Sequence, residues 1–133
     1  LEVFIYSYDT VDPEYKALLP FAHFRDRKIR PKFWWDLVSL GQEVRRDDLD
    51  IFHSTNNLGV PFTATSTLKT FVTVHDVFTH EARMPWGRSL RSWWGNLNYR
   101  LELWLMKRAT GFFTVSETAG KEIVKGLQLD PSK

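Results

Sequence analysis

An α/β domain, with helices flanking a mostly parallel sheet, is predicted by three features of this sequence. Apolar strand patterns alternate with helical ones in the order strand, helix, strand, strand, helix, strand, helix. Three of the strand patterns, Ile51-Phe52, Val72-Thr73-Val74 and Phe113-Thr114-Val115, stop at the polar pairs His53-Ser54, His75-Asp76 and Ser116-Glu117. A hydrophobic share of 43%, with 15% aromatic residues, fills the core of one ordinary domain at 133 residues and excludes disorder.

Taken in order, Leu1 to Tyr8 reads as the first strand. It begins at the first residue without an initiator methionine, the start expected of a piece cut from a longer chain. Asp9 to Pro13 carries turn chemistry, and Glu14 to Pro20 holds a short helical turn. The basic run Arg25, Arg27, Lys28, Arg30 and Lys32 reads as a solvated loop. From Phe33 to Arg46, Trp34, Leu37, Val38, Gly41 and Val44 recur every three or four residues, so they share one side of a helix that ends at Asp47-Asp48. Asp50 to Ser54 is the second strand, and Thr55 to Pro61 is rich in turn formers. Phe71 to Val74, the third strand, is β-branched or aromatic throughout, which suits a strand covered on both faces. Leu90, Trp93, Trp94, Leu97, Leu101, Trp104 and Leu105 keep a helical period between Arg88 and Ala109. Gly111 to Val115 is the fourth strand, Ser116 suits an N-cap, and the last helix runs to about Leu127, bracketed by Gly126 and Pro131.

Composition narrows the function. Eighteen Lys and Arg against sixteen Asp and Glu leave a formal charge of +2, which gives no footprint for nucleic acid. The absence of cysteine excludes disulfides, thiolate metal sites and thiol nucleophiles, and fits a reducing compartment. No apolar run reaches the roughly 18 to 20 residues of a membrane span, and the N-terminus lacks signal-peptide order. A chain that is soluble, or lies on a membrane surface, is expected.

Ligands of open α/β sheets bind beyond the carboxyl ends of the strands. If the strands are parallel, His53, Ser54, His75, Asp76 and Ser116 share one rim, and His75 is the first candidate for chemistry. Ser116 also fits a plain N-cap. Asp76 either orients His75 or begins the loop. No Gly-x-Ser-x-Gly elbow supports a hydrolase triad, and no His-Glu-x-x-His or third ligand beside His75 and His80 supports a metal site.

Three segments, Asp50-Ile-Phe-His-Ser-Thr-Asn-Asn-Leu-Gly-Val-Pro61, Phe71-Val-Thr-Val-His-Asp76 and Ala109-Thr-Gly-Phe-Phe-Thr-Val-Ser-Glu117, resemble the N-terminal, acceptor-side domain of family 4 retaining glycosyltransferases of the GT-B fold. The resemblance covers about Asp50 to Lys133 by motif, and the earlier part by its order of elements. It implies one Rossmann-like domain over 1–133, a fragment of a two-domain enzyme whose C-terminal Rossmann domain holds most of a UDP- or GDP-linked sugar donor. It implies hexose transfer to a saccharide or lipid-linked acceptor, without metal or cofactor, at a cytoplasmic site or the inner face of a membrane. His75 matches the family histidine that hydrogen-bonds a hydroxyl of the donor sugar. His53, Ser54, Thr55 and Asn57 sit where the family lines the acceptor side, and Ser116 opens a helix whose N–H groups meet an anionic or hydroxylated ligand. The family's Gly-rich loop after the first strand is missing here.

Arg83 to Arg108 sets Arg83, Arg88, Arg91, Arg100, Lys107 and Arg108 among Trp86, Trp93, Trp94 and Trp104 against one carboxylate, Glu102. That mixture suits an anionic membrane surface, unless the tryptophans face the sheet and the arginines face water. The rival function is a non-catalytic module that binds a membrane or a saccharide.

Overall fold

In the computed structural model the described residues are 1–28, 32–55, 59–62, 67–75, 90–130 and 132. They fall in two compact units, one of Leu1–Asp47 with Pro61–Thr63 and one of Asp48–Val60 with Ala64–Lys133.

In the first unit, strand β1 (Val3–Ser7) is followed by helix α1 (Pro13–Leu18) and strand β2 (Ala22–Asp26). The Asp12 carboxylate accepts from the Glu14 N–H at 2.9 Å, and Pro13, with no N–H to lose, opens α1. β1 and β2 pair in parallel, Val3 opposite Ala22 and Ser7 opposite Asp26. The Asp26 carboxylate accepts from the Val11 N–H at 2.9 Å and meets Lys16 Nζ at 2.7 Å, which ties the loop and helix to the end of β2.

β2 corrects the expected loop. Its Arg25 is held in the sheet because Asp47 takes its guanidinium at both ends. A charge that looked solvated is partnered from 22 residues away, which no local pattern shows. A single sheet was expected from four strands; the described residues form two parallel sheets, β1-β2 in this unit and one of three strands in the other.

The helical stretch that follows has three parts: α2 (Lys32–Trp34), a π turn (Trp35–Ser39) and α3 (Leu40–Arg46). Lys32 and Asp36 pair at 2.6 Å across its start. Wider winding in the π turn moves the inward face by one residue. Trp34, expected inside, is 53% exposed, whereas Trp35 is 4% exposed, and Leu40, Gly41 and Val44 continue the buried line. Val38 is half-buried, and the Leu37 side chain lies outside the described residues.

The second unit holds β3 (Ile51–Ser54), β4 (Lys69–Val74), α4 (Leu90–Lys107), β5 (Gly111–Thr114) and α5 (Glu117–Leu127). The strand order is β3-β4-β5 and both pairings are parallel, with Ser54 opposite Val72 and Val74 opposite Thr114. Val72 and Val74 pack with Val60, Leu105, Met106, Ala109, Ile123, Leu127 and Leu129 in one apolar core. α4 and α5 thus cover the same face of the sheet.

The other face is half-open. Phe71 and Thr73 are partly covered, while Ile51 and Phe113 are 58% and 52% exposed. The expectation of a third strand covered on both faces is corrected here: Val72 and Val74 are buried in the core, whereas Phe71 and Thr73 on the other face are only partly covered. α5 ends at Gln128, which takes the left-handed conformation at φ 52°. The stop is therefore Gln128, and Gly126 stays inside the helix.

Candidate active site at the sheet rim

Because β3, β4 and β5 run the same way, their carboxyl ends open on one edge of the second unit. His53 lies near the end of β3, Thr55 just beyond it, His75 just beyond β4, and Ser116 two residues beyond β5. The shared rim anticipated for parallel strands is present among these residues.

His75 Nε2 lies 2.9 Å from the Thr55 carbonyl oxygen. A carbonyl only accepts, so Nε2 carries the proton. In the neutral ring that tautomer makes Nδ1 an acceptor and not a donor. The contact joins the ends of β3 and β4 and fixes the imidazole from one side.

His53 Nε2 and Thr73 Oγ1 are 2.8 Å apart, and the His53 ring meets Phe113 edge-on with centroids 5.3 Å apart. Phe113 in turn lies 5.8 Å from Phe71. Thr73 and Phe113 belong to this half-open face although no motif singled them out. Their strand parity, odd-numbered like His53 and His75, was the available signal, since successive strand residues alternate sides.

Ser54 goes the other way: it is buried on the helix-covered face, and a Cβ at Gly59 would stand 3.3 Å from its Oγ. Gly59 has φ 103°, a conformation that only glycine takes without strain. His53 and Ser54, adjacent in sequence, therefore serve opposite faces of β3. Ser116 caps α5. Its Oγ accepts from the Ala119 N–H at 3.1 Å, and its carbonyl accepts from Thr114 Oγ1 at 3.1 Å. Asn57 and Asp76 lie outside the described residues.

A family model described as Glycosyltransferase Family 4 matches residues 1–133, the whole chain. The chain belongs to glycosyltransferase family 4. Neither the curated proteins nor the solved structures gave a match. It is thus a glycosyltransferase-family module, and its parallel sheets flanked by helices agree with a Rossmann-like α/β domain. Among the described residues no three His, Asp or Glu side chains converge to hold a metal ion, and no helix is long and apolar enough to cross a membrane.

Proposed function

We propose that this family 4 glycosyltransferase domain forms the acceptor side of a retaining enzyme, which moves a hexose from a UDP- or GDP-linked donor to a saccharide or lipid-linked acceptor. A second Rossmann-like domain grips the nucleotide, and neither metal nor cofactor takes part. His75 positions a donor hydroxyl, its Nε2–H anchored on Thr55. His53 and Thr55 line the acceptor side with Asn57, Asp76 lies next to His75, and Ser54 and Ser116 hold the edges of the rim. The work takes place in the cytoplasm, against the inner face of a membrane when the acceptor is a lipid.

The observation that supports this reading is the His75–Thr55 contact at a rim where three parallel strands end. An imidazole held at that rim is suited to a hydroxyl whose bond strengthens in the transition state. The test is His75→Ala in the enzyme that carries this domain. Loss of one such contact lowers kcat by about a hundredfold or more, while the melting temperature barely moves because His75 is exposed. Wild-type turnover would remove His75 from the mechanism.

A further inference from the structure

His53 belongs to β3, Thr73 to β4 and Phe113 to β5, three adjacent strands that run the same way. In register His53 stands opposite Phe71, and Thr73 stands opposite Phe113. The hydrogen bond of His53 nevertheless goes past its register partner, with Nε2 2.8 Å from Thr73 Oγ1. Thr73 is two residues further along β4, about 6 to 7 Å nearer its carboxyl end at the rise of a parallel strand. The imidazole therefore leans along the sheet toward the rim that carries Thr55 and His75.

Two contacts hold that lean. Thr73 is β-branched, so its hydroxyl sits on a stiff χ1 and offers the bond from a fixed point. Phe113 meets the His53 ring edge-on, with centroids 5.3 Å apart at an interplanar angle of 62°, and is itself backed by Phe71 at 5.8 Å. The ring nitrogen that Thr73 does not hold has no partner among the described residues, and the His53 side chain is exposed. A sugar hydroxyl both donates and accepts, so it can meet that nitrogen in either tautomer.

We propose that Thr73, with Phe113 as a wall, is the positioning residue that holds His53 for an acceptor hydroxyl. The acceptor belongs to the sugar-transfer reading, and to that extent the proposal rests on it. Neither the lean of the ring nor the binding of a simple glycoside needs donor or turnover, so the two can fail separately. Full turnover by His75→Ala would remove the donor contact and leave the Thr73 role to be decided on the chain itself.

The test is NMR of the chain with the His53 ring signals assigned. Thr73→Val keeps the branched shape that a strand favours and removes the hydroxyl, whereas Thr73→Ser keeps the hydroxyl. Cross-relaxation between the His53 and Phe113 ring protons is expected in wild type and in Thr73→Ser, and it weakens in Thr73→Val while amide signals away from the three strands stay in place. The methyl glycopyranosides of glucose, galactose and mannose, titrated at millimolar concentration, supply the hydroxyl. At least one of them should move the His53 ring signals. Thr73→Val should weaken its binding about fivefold, the weight of one hydrogen bond, and Thr73→Ser should restore it. Ring contacts that survive in Thr73→Val, His53 signals that none of the three glycosides moves, or equal binding by wild type and Thr73→Val would each overturn the proposal.

Discussion

Asp47 accepts three side-chain hydrogen bonds, from Arg25 Nε at 3.0 Å, Arg25 Nη2 at 2.8 Å and the Tyr6 hydroxyl at 2.7 Å. Its side chain is nearly buried while that of Arg25 is one-third exposed, so the pair lies between a surface and an interior ion pair. The Arg25 guanidinium holds the Asp47 carboxyl below its usual 3.8. Burial, and then the Asp47 carboxylate, push the Tyr6 phenol above its usual 10. The signs follow by linkage. A depressed carboxyl adds stability that is present above its unfolded pKa and is lost as pH falls through the folded one. A raised phenol stays neutral in the native state, so stability is lost once pH rises past about 10, where the unfolded phenol ionises. Urea denaturation across pH should show both limbs. Asp47→Asn is expected to flatten the acid limb below about pH 4, and Tyr6→Phe the alkaline one. Asp47→Ala should cost about 2 kcal/mol at neutral pH, since it strands a partly buried guanidinium and a phenol; a cost near zero would show that water serves both groups equally well.

At the level of elements, each boundary depends on contacts of a different range. The end of α5 at Leu127 and the cap at Ser116 were legible in the sequence because capping is local: a serine before a helical run offers its oxygen to an N–H three residues on. The inward face of α2 and α3 was not, because a π turn leaves no mark in a 3.6-residue pattern until its shifted face is seen. β2 was hidden for another reason, its arginine being neutralised from a distant helix end. For α5 two substitutions separate local from packing effects. Ser116→Ala should cost about 1 kcal/mol, the usual weight of an N-cap. Gly120→Ala would gain about 1 kcal/mol from helix propensity alone. A Cβ there would stand 3.0 Å from Thr114 Oγ1, which is itself tied to the Ser116 carbonyl. The threonine cannot turn aside without losing that bond, so Gly120→Ala should be destabilising. Pairing it with Thr114→Ala should restore the propensity gain. A stabilising single Gly120→Ala, measured by thermal melting, would show that β5 yields instead.

For the molecule as a whole, the parallel direction of β3, β4 and β5 carried the rim from sequence to structure, since patterns of elements set topology more firmly than side-chain contacts. Grouping the rim residues by position along the chain ignored the side each one faces, which strand alternation sets: Ser54 is buried, while Thr73 and Phe113 join His53. The same logic bears on the nucleotide. Phosphate cradles in Rossmann-like domains need glycine N–H groups at the end of a strand, and the first glycine of this chain is Gly41. After β1 stand Asp9 and Asp12, with Asp26 beside them, and their carboxylates already accept the Thr10, Glu14 and Val11 N–H groups. A diphosphate would meet three negative charges and find those donors taken. Calorimetric titration of the chain with UDP and with GDP should therefore give no binding tighter than about 0.1 mM, a level near 5 kcal/mol. Micromolar affinity for either nucleotide would place the donor grip within these 133 residues and would end the two-domain division of labour proposed above.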